Sequence, residues 1–174
     1  MSDFEPRKLR DACGQFSTGV TVITTHADGV DHGMTANAFM SISLDPPLIA
    51  ISIAAKAKML PKIQQSGRFA VSVLAAGMEK IAWHFAGRPD PDFVSMFRHD
   101  MGLPVIRGAV ASFVTDVADE ILAGDHTIFI GHVRSVQYDP VRKPLLFFRG
   151  NFGSMRDEEP APVNFEHLDR ELMW

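Results

Sequence analysis

Short polar side chains alternate with apolar ones in the segment 33–48, which reads G-M-T-A-N-A-F-M-S-I-S-L-D-P-P-L. A single strand would place Thr35, Asn37, Ser41 and Ser43 on one face and an apolar back on the other. The Asp-Pro-Pro sequence would end that strand, because proline cannot donate to a sheet ladder. A front of hydroxyl and amide groups suits a flat polar ligand; a solvent-facing polar surface is the alternative.

Several familiar catalytic patterns are missing from the sequence. It has no G-x-G-x-x-G after a predicted strand, no P-loop, no H-E-x-x-H and no G-x-S-x-G. His126 and His132 would share a strand face about 20 Å apart, too far to bind one ion, and we expect no metal site. Hydride transfer between two bound cofactors needs positioning and exclusion of water more than acids or bases. The pattern fits that chemistry, and equally a pure binding module.

Charge and composition predict one globular domain followed by a tail. Of the 174 residues, the segment 1–154 is electrically neutral, whereas 155–174 carries six acidic residues and two arginines. No basic stripe with interleaved aromatics is present, which argues against nucleic acid. Cys13 is the single cysteine, so no intrachain disulfide forms, and we expect it to be a buried helix residue.

Hydropathy argues against a membrane protein. The longest apolar run, 48–55, falls far short of the roughly 20 residues that span a bilayer. The first residues lack the apolar core of a signal peptide. We therefore expect a soluble cytoplasmic protein.

Local patterns predict a mainly β protein with short peripheral helices. Strands dominate without alternating regularly with helices, which favours an antiparallel barrel or sandwich. The segment 92–100 reads as a short helix or a loop. The predicted helices are 6–16, 57–66 and 79–86, and the predicted strands are 20–25, 33–44, 48–54, 68–74, 109–122, 126–138 and 145–149.

Three segments resemble the short-chain flavin reductases, the reductase components of two-component flavin-dependent monooxygenases. They are 33–48, 124–133 (G-D-H-T-I-F-I-G-H-V) and 144–152 (P-L-L-F-F-R-G-N-F). The resemblance implies a split β-barrel that binds FMN or FAD, usually as a homodimer with the flavin near the subunit interface. It also implies that NAD(P)H reduces the flavin, which then passes to a partner oxygenase.

The same resemblance implies which residues bind the flavin ring. Thr35, Ala36 and Asn37 match the segment that borders the ring in the family. Ser41 and Ser43 would bind the ring or the ribityl hydroxyls, or else face water.

The segment 54–59, A-A-K-A-K-M, matches the place where the family holds the flavin phosphate at a helix N-terminus. Ser and Thr are common there in the family, and this chain departs from that pattern. The resemblance therefore assigns the phosphate to Lys56, Lys58 and the backbone amides of Ala57 and Lys58. Two solvated lysines are the alternative.

The remaining implied residues lie late in the chain. His126 matches the G-D-H histidine beside the nicotinamide and flavin, and would position NAD(P)H rather than act as a base. Phe152 stands where the family often has Tyr, and would keep the ring stacking without the hydroxyl. Arg149 is a ligand or a rim charge, with the rim favoured. Trp83 and Phe85 are assigned to core or dimer packing.

The leading hypothesis is an NAD(P)H:flavin oxidoreductase that supplies reduced FMN or FAD to a monooxygenase. A non-catalytic binder of flavin, haem or another flat cofactor is the second. An oxidase or reductase that retains FMN on the same barrel is the third.

Overall fold

The computed structural model describes residues 5–92 and 96–155, so the predicted acidic tail lies, apart from Met155, outside the described residues. No helix in the described ranges is long and apolar enough to cross a membrane. Three helices and twelve strands are found there: α1 Pro6–Cys13, β1 Thr18–Gly19, β2 Thr21–Ala27, β3 Val30–Ala36, β4 Phe39–Leu44, β5 Pro47–Ala54, α2 Met59–Ser66, β6 Arg68–Val73, α3 Glu79–Phe85, β7 Phe97–Asp100, β8 Leu103–Ile106, β9 Ala111–Ala123, β10 His126–Tyr138, β11 Leu145–Phe148 and β12 Asn151–Ser154.

One long antiparallel sheet forms most of the molecule. Its seven strands run in the order β3-β2-β6-β9-β10-β5-β4, and its two edge strands do not pair with each other. The sheet therefore curls around its core without closing by hydrogen bonds. A three-stranded sheet, β1-β11-β12, and the hairpin β7-β8 lie beside it. The inner core contains Ile23, Ile51, Ile53, Phe69, Val71 and Phe129, all buried.

Strand β2 is buried on both of its faces, which explains its β-branched sequence. Ile23 belongs to the inner core, while its neighbour Val22 belongs to a second cluster on the outside of the sheet. That second cluster includes Ala82 of α3 and Leu145 of β11. The helix α3 and the small sheet are thus held against the long sheet by apolar contact.

The helix α1 contributes nothing to either core. None of its residues is buried, and Cys13 is exposed. The prediction of a buried cysteine was wrong, because the helix lies on the surface with its apolar positions only partly covered.

The segment 33–48 is two strands rather than one. Strand β3 ends at Ala36. Asn37 and Ala38 belong to no strand, and β4 then pairs antiparallel with β5. The predicted end of the strand is confirmed: Asp45 and Pro46, joined by a cis peptide, form the turn to β5. The predicted apolar back holds only in part, because Met40 on β4 is exposed.

Most of the other predicted elements are confirmed to within a few residues. Asp28 and Gly29 make a two-residue turn with positive φ, as the Asp-Gly signal predicts, and it joins β2 to β3. The prediction of a short helix or a loop over 92–100 is wrong for its described part, because Phe97–Asp100 forms strand β7. The short strands β1, β8 and β12 were not predicted.

Gly131 fixes where the long strand β10 lies on the core. A Cβ at this position would come within 2.5 Å of the Phe69 ring and 2.8 Å of the Thr115 Cβ. Both neighbours are fully buried. Any larger residue would push β10 away from the inner core.

We expect Gly131→Ala to lower the free energy of unfolding by about 1–3 kcal/mol through overpacking. Urea denaturation gives the measurement. Gly153→Ala is the matched control, because its added methyl meets no heavy atom within 4 Å, and it should stay within about 0.5 kcal/mol of the parent. Equal losses in the two variants would contradict this account of Gly131.

Candidate functional site

The end of β3, the helix α3 and the hairpin β11-β12 enclose a cavity of about 240 Å³, here called the aromatic pocket. Three residues predicted from 33–48 line it: Thr35, Ala36 and Asn37. Phe152, the predicted stacking residue, lines it as well. The rest of the lining is Val20, Trp83, Ala86, Phe147 and Gly150.

Thr35 holds α3 in place at this pocket. Its hydroxyl donates a hydrogen bond of 2.7 Å to the carbonyl oxygen of Ala82. Thr35 pairs with Val22, so its side chain lies on the sheet face that carries α3. The predicted ligand hydroxyl is therefore already engaged, and Thr35 shapes the pocket by positioning the helix.

Trp83 is a pocket residue that the sequence analysis assigned to packing. It follows Ala82 on α3, keeps 37% of its surface exposed and lies on the pocket lining. The Arg88 guanidinium carbon stands 4.2 Å from the centroid of its ring, a cation–π contact. Phe85, two residues after Trp83, packs as predicted. Its ring lies against Gly33, and its centroid is 5.6 Å from that of the Phe97 ring.

A tight turn brings the other aromatic rings together. Arg149 and Gly150 both have positive φ, +48° and +81°, in the two-residue turn that joins β11 to β12. The turn makes Phe147 and Phe152 direct cross-strand partners, with ring centroids 5.8 Å apart. Phe152 also meets the edge of Trp83, with centroids 5.1 Å apart.

A larger cavity of about 660 Å³ adjoins the aromatic pocket and shares Asn37, Phe147 and Gly150 with it. Arg149 lies on its lining and donates from Nε to the Gln15 side chain at 2.8 Å, which ties the α1 end to the hairpin turn. This contact agrees with the rim role favoured from the sequence.

Thr18 gives this larger cavity an unsatisfied polar group. Its hydroxyl is buried, lines the cavity and has no hydrogen-bond partner in the described part of the chain. Buried hydroxyls in folded proteins are nearly always bonded. An aromatic pocket beside an orphaned buried hydroxyl fits a ligand that combines a flat ring with polar substituents.

The serines of β4 do not share a face, contrary to the sequence prediction. A register shift separates them: Ser41 pairs with Ile49, whereas Ser43 pairs with the adjacent residue, Leu48. A β-bulge of this kind reverses the inward and outward alternation. Neither serine is on the lining of the aromatic pocket.

His126 lies at a second place, which we call the histidine corner. It begins β10 beside Ala54 of β5, and its Nδ1 lies 2.7 Å from Asp125 Oδ1. The His126 side chain is 44% exposed. Its strand neighbours Thr127 and Phe129 are buried, so His126 points to the outer face of the sheet.

The predicted phosphate-binding residues adjoin this corner. The Ala55 amide donates to the carbonyl oxygen of Asp125 at 2.9 Å. The hydrogen bond from His126 is the main cause that lowers the pKa of Asp125, and the charge of Lys56 adds a smaller effect in the same direction. Lys58 is the residue that precedes the first turn of α2. The amide of Ala57 already donates to Ala54 at 2.8 Å, so that predicted donor is engaged.

The structure thus places the predicted residues in two neighbouring groups. Thr35, Ala36, Asn37 and Phe152 meet at the aromatic pocket; Lys56, Ala57, Lys58 and His126 surround the histidine corner. Strand β5 joins the two, because the Ser52 amide donates to Ala38 at 3.3 Å, and Ala54, the partner of His126, follows about 7 Å along the strand.

Comparison with known proteins identifies the domain. Residues 13–156 match the family described as flavin reductase like domain. The chain is 44% identical over 162 residues to an NADH-dependent flavin reductase of Rhodococcus sp., covering 88% of this chain and 90% of the relative. It is 35% identical over 144 residues to the reductase component of a 4-hydroxyphenylacetate 3-monooxygenase of Thermus thermophilus, with 83% and 93% covered.

A solved structure agrees with the sequence comparisons. The NADH:FAD oxidoreductase SgcE6 of Streptomyces globisporus, in complex with NAD and FAD fragments, superposes with a TM-score of 0.81 at 37% identity. The match covers 92% of this chain and all of the other. These likenesses confirm the predicted split barrel.

His126 favours the ionised form of its neighbour Asp125. The hydrogen bond and then the charge of His126 lower the pKa of Asp125 from its ordinary value of 3.8. The contact therefore contributes to the stability of the fold at pH values above the ordinary pKa of Asp125. This contribution is lost as the pH falls through the lowered pKa.

We expect His126→Ala to return the pKa of Asp125 towards 3.8, measured by NMR titration of its carboxyl carbon. Asp139 is the internal control, because its pKa is lowered by the Val141 amide and by Arg142 instead. An Asp125 titration that does not move in the variant would show that the contact is absent in solution.

Proposed function

The chain belongs to the flavin reductase family, and we propose that it reduces FMN or FAD with NADH and delivers the reduced flavin to a monooxygenase. The observation that carries the proposal is the aromatic pocket, where Trp83, Phe152 and Asn37 offer two rings and an amide to a flat heteroaromatic ligand. The bound flavin supplies the chemistry by accepting a hydride. The protein's task is to position the ring and exclude water.

The flavin site extends from the aromatic pocket along β5 to the start of α2. Asn37 would bind the edge of the ring, and the Thr18 hydroxyl would bind one of its polar substituents. Lys56 and Lys58 would bind the phosphate, helped by the positive end of the α2 dipole. The Ser41 and Ser43 hydroxyls have no place in this arrangement.

His126 would position NADH next to that site. Its exposed ring lies beside Ala54 and near Lys56, where Nε2 can accept from the carboxamide of the nicotinamide nucleotide, or donate to its phosphate when the ring is protonated. Asp125 orients the imidazole through Nδ1 and leaves Nε2 to face the nucleotide. Since the family resemblance gives this histidine no acid or base task, we assign it the role of a binding group.

We also propose that the protein is a homodimer. Register places Met40, Ala50 and Ile130 side by side on the outer face of β4, β5 and β10. Met40 is 58% exposed, and the apolar row continues through Ile128 and Ile121. Ala50 itself is buried, but the exposed Met40 on the edge strand β4 and the half-exposed Ile121 on β9 leave an apolar sheet face of the kind that proteins normally cover. A second copy would cover it and lie next to His126.

The relative from Thermus is a monooxygenase component, and this supports a partner oxygenase for the present chain. Delivery by diffusion needs a flavin that binds reversibly. The aromatic pocket suits this need, because it opens to the larger cavity rather than enclosing its ligand. A supply of NADH and a single free cysteine suit the cytoplasm, where we place the enzyme.

The purified protein should oxidise NADH only when FMN or FAD is added, measured as loss of nicotinamide absorbance. If NADH is not oxidised even when FMN or FAD is added, the result would favour the non-catalytic binder. A yellow protein that keeps its flavin through gel filtration and turns over without addition would favour the FMN-retaining alternative. Parallel assays that compare NADH with NADPH, and FMN with FAD, establish which nicotinamide nucleotide and which flavin the enzyme prefers.

In the same assay His126→Ala should raise KM for NADH about tenfold and leave KM for flavin unchanged, as expected for the loss of one hydrogen bond to a charged group. His132→Ala is the matched control, since His132 lies on the same strand beside Leu48, away from the corner. Unchanged NADH kinetics in His126→Ala would remove the positioning role.

Met40→Lys should convert the dimer to a monomer, measured by sedimentation velocity, because it places a charge on the apolar row. Val141→Lys is the control: Val141 is 86% exposed, so it tests the same change outside the row. A parent protein that sediments as a monomer, or a Met40→Lys variant that stays dimeric, would refute this interface.

A further inference from the structure

We propose that a divalent transition-metal ion binds between the hairpins β2-β3 and β7-β8, at His26, Asp31 and His99. One ligand atom from each of these side chains lies within 4.8 Å of the other two. Asp31 Oδ1 is 2.6 Å from His26 Nδ1, and its Oδ2 is 2.9 Å from His99 Nε2. Two imidazole nitrogens and one carboxylate form a set that zinc and similar ions prefer.

The fold brings the three groups together from separate elements. His26 and Asp31 are direct partners across the β2-β3 ladder, joined by the tight Asp28-Gly29 turn. His99 comes from β7, 68 positions further along the chain than Asp31. Sequence reasoning could have paired the first two from the turn, but only the tertiary fold supplies the third.

The backbone on either side of His99 is fixed by contacts with the main sheet. The Arg98 guanidinium donates to the Ser112 hydroxyl at 3.1 Å. On the other side, the Asp100 carboxylate accepts from the Ser135 hydroxyl at 2.9 Å. The Thr24 hydroxyl donates to Pro104, which ties β8 to β2. These contacts anchor the part of β7 that carries the His99 imidazole beside Asp31.

The side chains themselves keep enough freedom to admit an ion. The exposed fractions are 43% for His26, 54% for His99 and 22% for Asp31. An ion about 2.1 Å from each ligand atom needs those atoms roughly 3.4 Å apart, so the two present contacts would open by less than about 1 Å. A pair of ligand atoms now as far as 4.8 Å apart would close by up to about 1.4 Å. Small rotations of exposed rings provide this. Water would complete the coordination at the open side.

The consequence of binding is structural rather than catalytic. Asp31 and Ala36 stand at opposite ends of β3, about 16 Å apart, so the ion would lie away from the aromatic pocket. It would add a link between two hairpins that already meet through the hydrogen bond from Thr24 to Pro104 and through the apolar cluster that contains Val22 and Ile106. A ligand that binds only the folded state stabilises it, and the melting temperature should respond.

The test is calorimetric titration of the full chain with Zn²⁺, without flavin, NADH or a histidine tag. We expect one ion per chain and a rise in melting temperature of about 5 °C or more at saturation, reversed by EDTA. His99→Gln should weaken binding by about 10- to 100-fold and abolish the rise. His26→Gln and Asp31→Asn should act in the same way, and Mg²⁺ should not replace Zn²⁺.

His132→Gln is the control for nonspecific histidine binding and should leave the titration unchanged. The proposal fails if Zn²⁺ does not bind, or if His99→Gln binds as tightly as the parent; the three residues would then be a hydrogen-bonded cluster only. Flavin reduction plays no part in this readout, so the proposal stands or falls separately from the proposed activity.

Discussion

The hydrogen bond from the Thr35 hydroxyl to the Ala82 carbonyl is the contact on which the candidate site depends. It joins an edge strand of the long sheet to a seven-residue helix too short to be stable alone. A net contribution of about 1 kcal/mol is typical of such a bond, so its importance is geometric. It fixes the backbone next to Trp83, whose ring contacts the Phe152 ring on the far wall with centroids 5.1 Å apart.

The sequence predicted the ends of strands and the turns well where the local backbone conformation favours one residue type, such as glycine or proline. The Asp-Gly turn and the Asp-Pro-Pro stop appear as the sequence indicates, and Gly67 ends α2 with a φ of +66°. The short strands β1, β8 and β12 could not be predicted, because their partners are distant and two to four residues carry too little periodicity.

The site was predictable in its residue types but not in its layout. Alternation alone assigned Thr35, Asn37, Ser41 and Ser43 to one face. The break after Ala36 and the bulge in β4 overturn that assignment. Each residue that leaves the regular ladder moves the following side chains to the opposite face of the sheet. Trp83 was missed because a tryptophan on a short helix reads as core, and only the fold of β11-β12 brings rings against it.

Backbone conformation therefore determines which side chains meet the ligand. The turn at Arg149 and Gly150 aligns two phenylalanines, and Gly131 keeps β10 close to the core so that His126 emerges at the outer face. At the hairpin turn and at Gly131, the function depends on residues that shape the backbone and take no part in the reaction themselves. The reacting chemistry belongs to the cofactors, and the chain contributes shape, a few donors and charge.

The exposed Cys13 has a practical consequence of its own. It is the single thiol of the chain, it is exposed, and it lines the larger cavity together with Thr18 and Arg149. A maleimide dye would therefore attach at one defined point, next to the cavity that adjoins the aromatic pocket. The protein thus has a built-in attachment point for a fluorescent reporter, and occupancy of the cavity can be followed without altering a residue.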